Sequence, residues 1–220
     1  FEEIALALAQ NDVKFGFGTN GMFPERLENI LTNEICRNAI TGIQFSIDGT
    51  LEEHENIRGK GTFAPLVKAI RVANSFNIPI NACTVLQDKN EGCVSGVQQL
   101  VSELGITNHR FQLHSQADRL MTRDIDRFKD VIEKREFHQA KTSPAVPGKG
   151  CLAGIQSCII RSNGEVEACR LSAVGNVPHL VMGNMLEHNH SIDSLLASNQ
   201  AKETLRRVGS CPGCALYCAR

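Results

Sequence analysis

The sequence predicts an α/β protein with parallel strands covered by helices, followed by a small α+β unit. Three observations support this prediction. Over the first two thirds of the chain, short apolar runs alternate with stretches of helical periodicity. The composition then shifts near Lys141, and four of the nine cysteines lie late in the chain, at Cys169, Cys211, Cys214 and Cys218. Alternation with one-helix crossovers implies parallel strands, in either a barrel or a doubly wound sheet.

The elements of the first unit follow from periodicity and from turn residues. Phe1, Ile4 and Leu8 recur at helical spacing, which predicts an amphipathic opening helix. Asn-Gly and Asp-Gly pairs close the first two strands, whereas Asn77 and Gly105 end two helices. The predicted order after the opening helix is a strand over 13–19, a helix from Pro24 to Ile35, a strand over 42–47, a helix over 63–76, a strand over 78–86, a helix over 94–104, a strand over 110–113 and a polar helix over 123–136.

Polar residues stand at the carboxyl ends of the predicted strands. In barrels and in doubly wound sheets, ligands bind beyond these strand ends. Each residue also has a simpler interpretation, because turns and helix caps use the same residue types. The candidates are Thr19, Asn20, Ser46, Asp48, Thr84 and His114.

The second unit is predicted to begin after a linker. Two prolines and two glycines in residues 142–150 indicate the linker, which divides the chain into a domain over 1–142 and a domain over 143–220. Strand-like residues 157–161 and 166–169 flank an Asn-Gly pair and predict a hairpin. A helix is expected near 192–208. A unit of this size buries little core and needs a covalent or metal staple.

Five cysteines are placed to supply that staple. Cys151 and Cys169 bracket the predicted hairpin, while Cys211 and Cys214 form a CxxC pair followed by Cys218. Four convergent thiolates hold either zinc or an iron–sulfur cluster. Disulfides are the third alternative, but nothing indicates export and a reducing cytosol disfavours them. The spacing alone does not separate zinc from iron, and zinc is the default from spacing.

The other four cysteines have a structural interpretation. Cys36, Cys83 and Cys158 lie in apolar segments, where cysteine acts as a small buried hydrophobe. Cys93 begins a helix, a position that can lower the pKa of a thiol, but we expect it to be structural as well. His188 and His190 are interpreted as part of a solvated loop in preference to a metal site.

Charge and hydropathy exclude several partners. With 23 Lys+Arg against 24 Asp+Glu, the net charge is -1, which gives no electrostatic reason to bind nucleic acid or an anionic membrane. No apolar run approaches the roughly 18–20 residues of a membrane span. No signal-peptide pattern is present. We therefore expect a cytoplasmic protein.

Two segments of the first unit carry a resemblance to a known superfamily. Residues 44–49 (Gln-Phe-Ser-Ile-Asp-Gly), 53–59 (Glu-His-Glu-Asn-Ile-Arg-Gly) and 61–63 (Gly-Thr-Phe) resemble the fourth strand and following loop of radical S-adenosylmethionine (SAM) enzymes. Residues 19–21 (Thr-Asn-Gly) resemble the end of their third strand. The cysteine-rich tail resembles the auxiliary iron–sulfur extension of the same superfamily, called SPASM in its full form and twitch in its shortened form. The resemblance implies a partial TIM-like (β/α)6 barrel that lacks its first strands.

The resemblance also implies an activity and a set of cofactor-binding residues. In this superfamily a 4Fe-4S cluster reductively cleaves SAM, and the resulting 5'-deoxyadenosyl radical abstracts hydrogen from the substrate. Ser46 is expected to hydrogen-bond SAM, with Asp48 close by, and Arg58 is a further candidate because it can pair with a carboxylate. Thr19 and Asn20 are expected to face the same cavity. The implied substrate is a peptide, a protein or a small molecule, and the implied electron donor is a low-potential protein such as flavodoxin or ferredoxin.

The resemblance implies two iron–sulfur clusters. It therefore favours iron over the zinc that the cysteine spacing alone suggests. Cys151, Cys169, Cys211 and Cys214 would ligate one auxiliary 4Fe-4S cluster, while Cys218 departs from the simple pattern. The CxxxCxxC loop that holds the catalytic cluster has no counterpart in the 220 residues, so we expect it upstream in a longer protein; the alternative is a degenerate copy without the loop. The competing hypothesis is a non-catalytic α/β scaffold with a structural zinc ribbon.

Overall fold

The computed structural model describes residues 1–113, 153–154, 158–168 and 180–209, which fall into two compact units. The first unit is a four-stranded parallel sheet with helices, and the second is a three-stranded antiparallel sheet with two helices. The prediction of an α/β fold with parallel strands is therefore confirmed. The predicted helix over 123–136, the linker over 142–150 and the predicted domain boundary lie outside the described residues.

The elements of the first unit alternate as the sequence predicts, with one helix more than expected after β2. In chain order they are α1 (Glu2–Gln10), β1 (Phe15–Thr19), α2 (Pro24–Thr32), α3 (Glu34–Ala39), β2 (Ile40–Ser46), α4 (Leu51–Arg58), α5 (Phe63–Ser75), β3 (Ile80–Leu86), a 3₁₀ turn (Asp88–Cys93), α6 (Val94–Glu103) and β4 (Asn108–Leu113). The second unit contains β5 (Ile159–Ile160), β6 (Glu165–Glu167), β7 (Val181–Asn184), a 3₁₀ turn (Met185–His188), α7 (Ile192–Ala197) and α8 (Asn199–Gly209).

The strands of the first sheet follow one another in chain order, β1-β2-β3-β4, and every neighbouring pair is parallel. Gln44 pairs with Asn81, Ser46 pairs with Cys83, and Cys83 pairs in turn with Arg110. Paired residues of neighbouring strands share a sheet face because side chains alternate with a period of two. These five polar or small residues therefore form one face.

The opposite face of the sheet carries the hydrophobic core. Phe45 and Phe111 are among the largest fully buried side chains, and helices α1, α2, α3, α5 and α6 contribute buried residues to the same cluster. Toward the carboxyl end of β2 the core residues alternate, with Ile43 and Phe45 in the strand and Ile47 directly after it. Burial of each such side chain contributes about 1.5–3 kcal/mol relative to exposure, which fixes the register of every strand against the helices.

Local sequence signals set the helix ends. Asn77 adopts φ 55° after α5, and Gly105 adopts φ 70° after α6, as expected for left-handed residues that terminate helices. The predicted single helix from Pro24 to Ile35 is divided in two. Asn33 interrupts it because its side-chain oxygen accepts a hydrogen bond from the Cys36 N–H (3.2 Å) and caps α3.

Several sequence predictions require correction in the first unit. The opening helix buries Ala5 and Ala9, while Phe1 and Ile4 are 49% and 60% exposed, so the predicted apolar face is wrong. Small alanine side chains let α1 approach the neighbouring α3 closely. Residues 53–59, interpreted as part of a loop, are mostly helical and belong to α4.

The second unit confirms the predicted hairpin with shorter strands than expected. β5 and β6 pair in antiparallel fashion on either side of the Asn-Gly pair, and β7 adds a third strand that the sequence did not reveal. The predicted helix over 192–208 is two helices, α7 and α8, separated at Ser198. Cys158 is exposed, which contradicts its interpretation as a buried hydrophobe, because it precedes β5 at the edge of the small sheet.

In the described part of the chain, none of the helices has both the length and the apolar character needed to cross a membrane.

Candidate functional site

The face of the first sheet that turns away from the helical core is polar. Gln44 and Ser46 of β2 and Asn81 of β3 lie on this face, together with Arg110 and Gln112 of β4. The Arg110 Nη2 donates a hydrogen bond to the Gln44 Oε1 at 2.6 Å, across β3. A sheet with one apolar and one polar face needs the second face to meet water or a ligand.

Ser46 occupies the end of β2 on this polar face. It is half-buried, and its hydroxyl makes no hydrogen bond within the described ranges. Its register partner is Cys83, whose Sγ lies 3.8 Å from the Gln112 Oε1. The predicted cofactor residue Ser46 thus has a hydroxyl free to bind a ligand at the carboxyl edge of the sheet.

Asp48 follows two residues later and is held on every side. Only 2% of the residue is exposed. Its Oδ2 accepts from the Arg58 Nε at 2.6 Å, and its Oδ1 accepts from the backbone N–H of Val85 at 3.0 Å. Its carbonyl oxygen accepts from the Asn90 Nδ2 at 2.7 Å. Both carboxylate oxygens are therefore occupied within the protein, and the contacts give Asp48 a positioning role.

Arg58 closes the same arrangement from the last turn of α4. Its side chain is 29% exposed, and its Nε contacts the Asp48 carboxylate through a single nitrogen. The predicted capacity to pair with a carboxylate is thus used inside the protein. The pair fixes α4 against the turn that follows β2, because one partner belongs to each element.

Arg58, Asn90 and His54 all contact Asp48 in the turn after β2, and we call these four residues the Asp48 cradle. His54 belongs to α4. It is fully buried, and its Nδ1 accepts a hydrogen bond from the Asp48 backbone N–H at 3.2 Å. Burial lowers the pKa of His54, so the neutral ring is favoured. With Nδ1 acting as the acceptor, the proton resides on Nε2, which has no partner among the described residues.

Two titratable groups beside this cradle, Glu53 and Cys93, have shifted pKa values. Thr50 precedes α4 as its N-cap residue and donates its hydroxyl proton to the Glu53 carboxylate, and this hydrogen bond lowers the pKa of Glu53. Cys93 is buried near the Asp48 carbonyl, and burial raises the pKa of its thiol to about 11. Cys93 is therefore a neutral thiol at physiological pH, so its structural interpretation holds. Cys36 and Cys83 are also buried, as predicted.

Thr19 and Asn20 shape the turn after β1. The Thr19 hydroxyl accepts a hydrogen bond from the Gly21 N–H at 3.0 Å, and the Asn20 Oδ1 accepts one from the Met22 N–H at 3.2 Å. Thr19 pairs with Phe45, so it lies on the sheet face opposite to Ser46. This placement of Thr19 differs from the expectation that it faces the same cavity as Ser46, and it follows from the period of two along β1. The same expectation for Asn20, which lies beyond the end of β1, stays a prediction.

Thr84 and His109 are joined on the helical side of the sheet. The Thr84 hydroxyl donates to the Ile47 carbonyl at 2.5 Å and accepts from the His109 Nε2 at 2.8 Å. Burial lowers the pKa of His109 to about 4. A cavity of about 510 Å³ between α6 and β4 includes His109 in its wall. The remaining strand-end candidate, His114, lies outside the described residues.

The second unit carries one strong polar contact on its hairpin. The Arg161 guanidinium holds both oxygens of Glu167, with Nε to Oε1 at 2.6 Å and Nη2 to Oε2 at 2.9 Å. The Glu167 side chain is 3% exposed. The five predicted metal ligands, Cys151, Cys169, Cys211, Cys214 and Cys218, all lie outside the described residues. Within the described ranges, no group of three or more histidine, cysteine, aspartate or glutamate side chains is placed to hold a metal ion.

Four residues of the first unit's site were not among the candidates predicted from the sequence: Gln44, His54, Asn90 and Arg110. The alternation of apolar and polar residues along β2 and β4 is a signal that identifies Gln44 and Arg110. Neither His54 nor Asn90 carries a comparable local signal. Their contacts depend on the backbone of Asp48, which lies 6 and 42 positions away in sequence.

The C-terminal segment matches a known domain family. The profile of the SPASM family, described as an iron-sulfur cluster-binding domain, matches residues 151–218. No curated protein sequence matches the chain at a significant level.

Solved structures share the fold of the chain at low sequence identity. One is "Native anSMEcpe with bound AdoMet", with a TM-score of 0.58 and 14% identity over 90% of this chain and 60% of that one. "Crystal structure of Streptococcus suis SuiB bound to S-adenosylmethionine" has a TM-score of 0.60 and 16% identity over 91% of this chain and 52% of that one. A third is SuiB bound to precursor peptide SuiA, with a TM-score of 0.61 and 14% identity over 91% of this chain and 52% of that one. The chain thus spans between half and two thirds of the length of these proteins. The chain therefore shares its fold with these proteins, and its residues 151–218 match the SPASM family.

Proposed function

We propose that this protein is a radical SAM enzyme that modifies a peptide, and that SAM and the substrate bind along the polar face of β2 to β4. The observation that carries the proposal is the free Ser46 hydroxyl at the carboxyl end of β2, on a sheet face lined with polar side chains. A SPASM domain accompanies this face in the same chain.

The polar face fits a bound cofactor better than a packed interior. In a (β/α) barrel the helices lie outside, and the opposite sheet face lines the interior, which layers of branched apolar side chains usually fill. Here that face carries Gln44, Ser46, Asn81 and Arg110 instead. Buried polar groups require hydrogen-bond partners, so an interior of this composition favours a polar ligand.

The cradle around Asp48 supplies rigidity next to Ser46. The Asp48 carboxylate joins α4 through Arg58 and joins β3 through the Val85 N–H. These contacts immobilise the turn two residues after Ser46, so the serine hydroxyl is held in one place before a ligand arrives. Preorganised donors of this kind bind ligands with less loss of conformational entropy.

The cofactors supply the reaction chemistry, and the residues of this chain supply binding and orientation. In radical SAM enzymes, reductive cleavage of SAM provides a 5'-deoxyadenosyl radical for hydrogen abstraction. We assign Ser46 to a hydrogen bond with SAM and the polar side chains of β3 and β4 to orientation of the ligands. Asp48, Arg58 and His54 hold the turn that presents Ser46, and the apolar core behind the sheet excludes water from that side.

The SPASM segment is proposed to hold one auxiliary 4Fe-4S cluster through Cys151, Cys169, Cys211 and Cys214. A fully thiolate-ligated cluster is suited to electron transfer. Cys218 remains available for a second cluster. The catalytic 4Fe-4S cluster is assigned to cysteines outside these 220 residues, because the sequence contains no CxxxCxxC motif.

A peptide substrate is supported by the ligands of the structural neighbours. One anSMEcpe structure contains AdoMet with the Cp18Cys peptide, and one SuiB structure contains its precursor peptide SuiA. We extend this substrate class to the present protein and assign it an oxidoreductase-type modification. A low-potential protein such as flavodoxin or ferredoxin is the proposed electron donor.

The proposal is tested with the protein produced at its full natural length under anaerobic conditions. We expect reductant-dependent release of 5'-deoxyadenosine from SAM. In Ser46→Ala, loss of one hydrogen bond of about 1 kcal/mol should raise the Kd for SAM about fivefold. Ser95→Ala, which removes an exposed hydroxyl from α6, is the matched control and should bind SAM normally. A wild-type protein that neither binds nor cleaves SAM would refute the proposal.

A further inference from the structure

We propose that Arg110 is the residue that binds a carboxylate group on the polar sheet face, supplied either by the amino-acid end of SAM or by the substrate. This inference rests on the proposed function, because it assumes that ligands bind on that face. It adds the ligand chemistry that the face selects and the residue that selects it.

Arg110 stands at the level of the free Ser46 hydroxyl. The register joins Ser46 to Cys83 and Cys83 to Arg110, so the three residues form one row across β2, β3 and β4. The Arg110 Nη2 extends from this row to the Gln44 Oε1 at 2.6 Å, and Gln44 precedes Ser46 by two residues on the same face of β2. The guanidinium therefore lies on the same sheet face as Ser46, displaced by one row toward the amino ends of the strands.

The charge of Arg110 has no counter-charge in the described part of the chain. Arg58 pairs with Asp48, and Arg161 pairs with Glu167, whereas Arg110 makes no ion pair there. Its one polar contact is with a neutral amide. Arg110 is half-buried, so water solvates its charge incompletely. A half-buried cation without a counter-charge favours the binding of an anion.

A second observation points the same way. The Nε of Arg110 is buried and has no hydrogen-bond partner, and it is one of only two such side-chain atoms among the described residues. The side chain therefore keeps unused donor capacity as well as an uncompensated charge. A guanidinium presents paired N–H donors that match the two oxygens of a carboxylate.

The ligands of the proposed function decide which anion is expected. SAM carries one carboxylate on its amino-acid end, and a peptide carries carboxylates on acidic side chains and at its C-terminus. The sequence predicted Arg58 as the cation that binds a ligand carboxylate, but in the structure its Nε donates a hydrogen bond to Asp48. Arg110 is the described cation on the ligand face that remains open to such a group.

The test measures equilibrium binding with two pairs of probes on the full-length protein. SAM is compared with decarboxylated SAM, which keeps the adenosine and the sulfonium but lacks the carboxylate. Succinate is compared with succinamide, with and without saturating SAM, by the ¹⁵Nε–H signal of Arg110. That signal is assigned by its loss in Arg110→Gln. Arg71→Gln, which removes an exposed guanidinium from α5, is the matched control.

Two results support the inference and distinguish the source of the carboxylate. If the cofactor supplies it, Arg110→Gln should weaken SAM binding about tenfold or more and leave decarboxylated SAM unaffected. If the substrate supplies it, SAM binding should be unchanged, and succinate but not succinamide should shift the Arg110 signal in the presence of SAM. Normal binding of decarboxylated SAM also shows that the variant is folded.

The inference is overturned if Arg110→Gln weakens SAM and decarboxylated SAM by the same factor, or if SAM binding is unchanged and succinate does not shift the signal. Failure of the wild-type protein to bind SAM is a different result and refutes the proposed function. In that case the titration with succinate and succinamide in the absence of SAM still tests Arg110. A shift of its signal with succinate alone supports carboxylate binding, and no shift overturns it.

Discussion

Replacement of Asp48 by Asn should loosen the turn that follows β2 while leaving the rest of the sheet intact. The Asp48 carboxylate accepts hydrogen bonds from two donors, the Arg58 Nε at 2.6 Å and the Val85 N–H at 3.0 Å. An amide retains one acceptor oxygen, so its NH₂ group must face the other donor. The substitution therefore removes a charged hydrogen bond and places two donors against each other.

The magnitude follows from the burial of the two partners. Breaking a fully buried ion pair costs about 3–5 kcal/mol, and a hydrogen bond to a charged group contributes about 1.5–3 kcal/mol. The Asp48 side chain is 3% exposed, but Arg58 is 29% exposed and can be partly rehydrated. We therefore expect a local loss of about 2–4 kcal/mol, below the value for a fully buried pair.

Native-state hydrogen exchange reports this loss at the Val85 amide, which donates to Asp48. A loss of about 2 kcal/mol should accelerate its exchange about thirtyfold, and a loss of about 4 kcal/mol nearly a thousandfold. Glu25→Gln is the matched control, since Glu25 and Lys68 also meet at 2.6 Å but with side chains 68% and 59% exposed. Water and salt screen that pair, so its removal should leave the Val85 amide unchanged.

Two outcomes would refute this reasoning. One is an exchange rate at Val85 that stays within about threefold of wild type in Asp48→Asn, well below the rate change that the expected free energy implies. The other is an equal acceleration in Glu25→Gln. Either result would mean that the cradle around Asp48 does not stabilise the turn.

Three further predictions concern protonation, packing and thiol reactivity. The pKa of His109 is about 4 when folded against 6.5 for a free histidine, so the unfolded state binds an extra proton as pH falls from about 6.5 to about 4. Stability should decline across that window by up to about 1.4 kcal/mol per pH unit, and urea midpoints at pH 7 and pH 5 should differ less in His109→Gln. A Cβ on Gly49 would lie 2.3 Å from the Glu53 Cβ of α4, whereas a Cβ on Gly92 would meet nothing within 4 Å. Gly49→Ala should therefore lower the free energy of unfolding in urea by about 1–3 kcal/mol, and Gly92→Ala should change it little. Peptide mapping after alkylation of the native protein should find Cys158 modified and Cys93 unmodified. Cys158 is exposed, whereas burial raises the pKa of the Cys93 thiol to about 11. Modification of both thiols at similar rates would contradict the burial of Cys93.

The sequence predicted the parallel strands and the position of Ser46 at the end of one of them because both depend on local patterns. Apolar and polar residues alternate along β2, and the Asp-Gly pair after it marks the end of the strand. Parallel connection then places all carboxyl strand ends at one edge. These rules act within about ten residues, which is the range over which periodicity and turn chemistry determine structure.

The contacts of Asp48 and Arg58 could not be predicted in the same way. Asp48 receives a hydrogen bond from Val85, 37 positions later in the sequence, and this contact exists only after β2 and β3 have paired. Arg58 was a candidate for the cofactor site through the family resemblance, in a segment that was interpreted as a loop. Once residues 51–58 form a helix, its last turn brings Arg58 to Asp48.

The opening helix shows how tertiary packing overrides a periodic signal. Phe1, Ile4 and Leu8 repeat at helical spacing, yet the buried residues are Ala5 and Ala9. A periodic pattern identifies the helix, but it does not show which neighbour will cover which face. Ala5 and Ala9 belong to the buried core cluster, and α1 neighbours α3 and α2 in the fold.

An anaerobic metal analysis of the full-length protein distinguishes the proposed iron–sulfur enzyme from a zinc-binding scaffold. Iron and acid-labile sulfide should be measured with a visible spectrum in wild type and in the Cys151→Ala, Cys169→Ala double variant. We expect a brown protein that loses about four irons and four sulfides in the variant, in agreement with one auxiliary 4Fe-4S cluster. A colourless protein with stoichiometric zinc and no sulfide would contradict it.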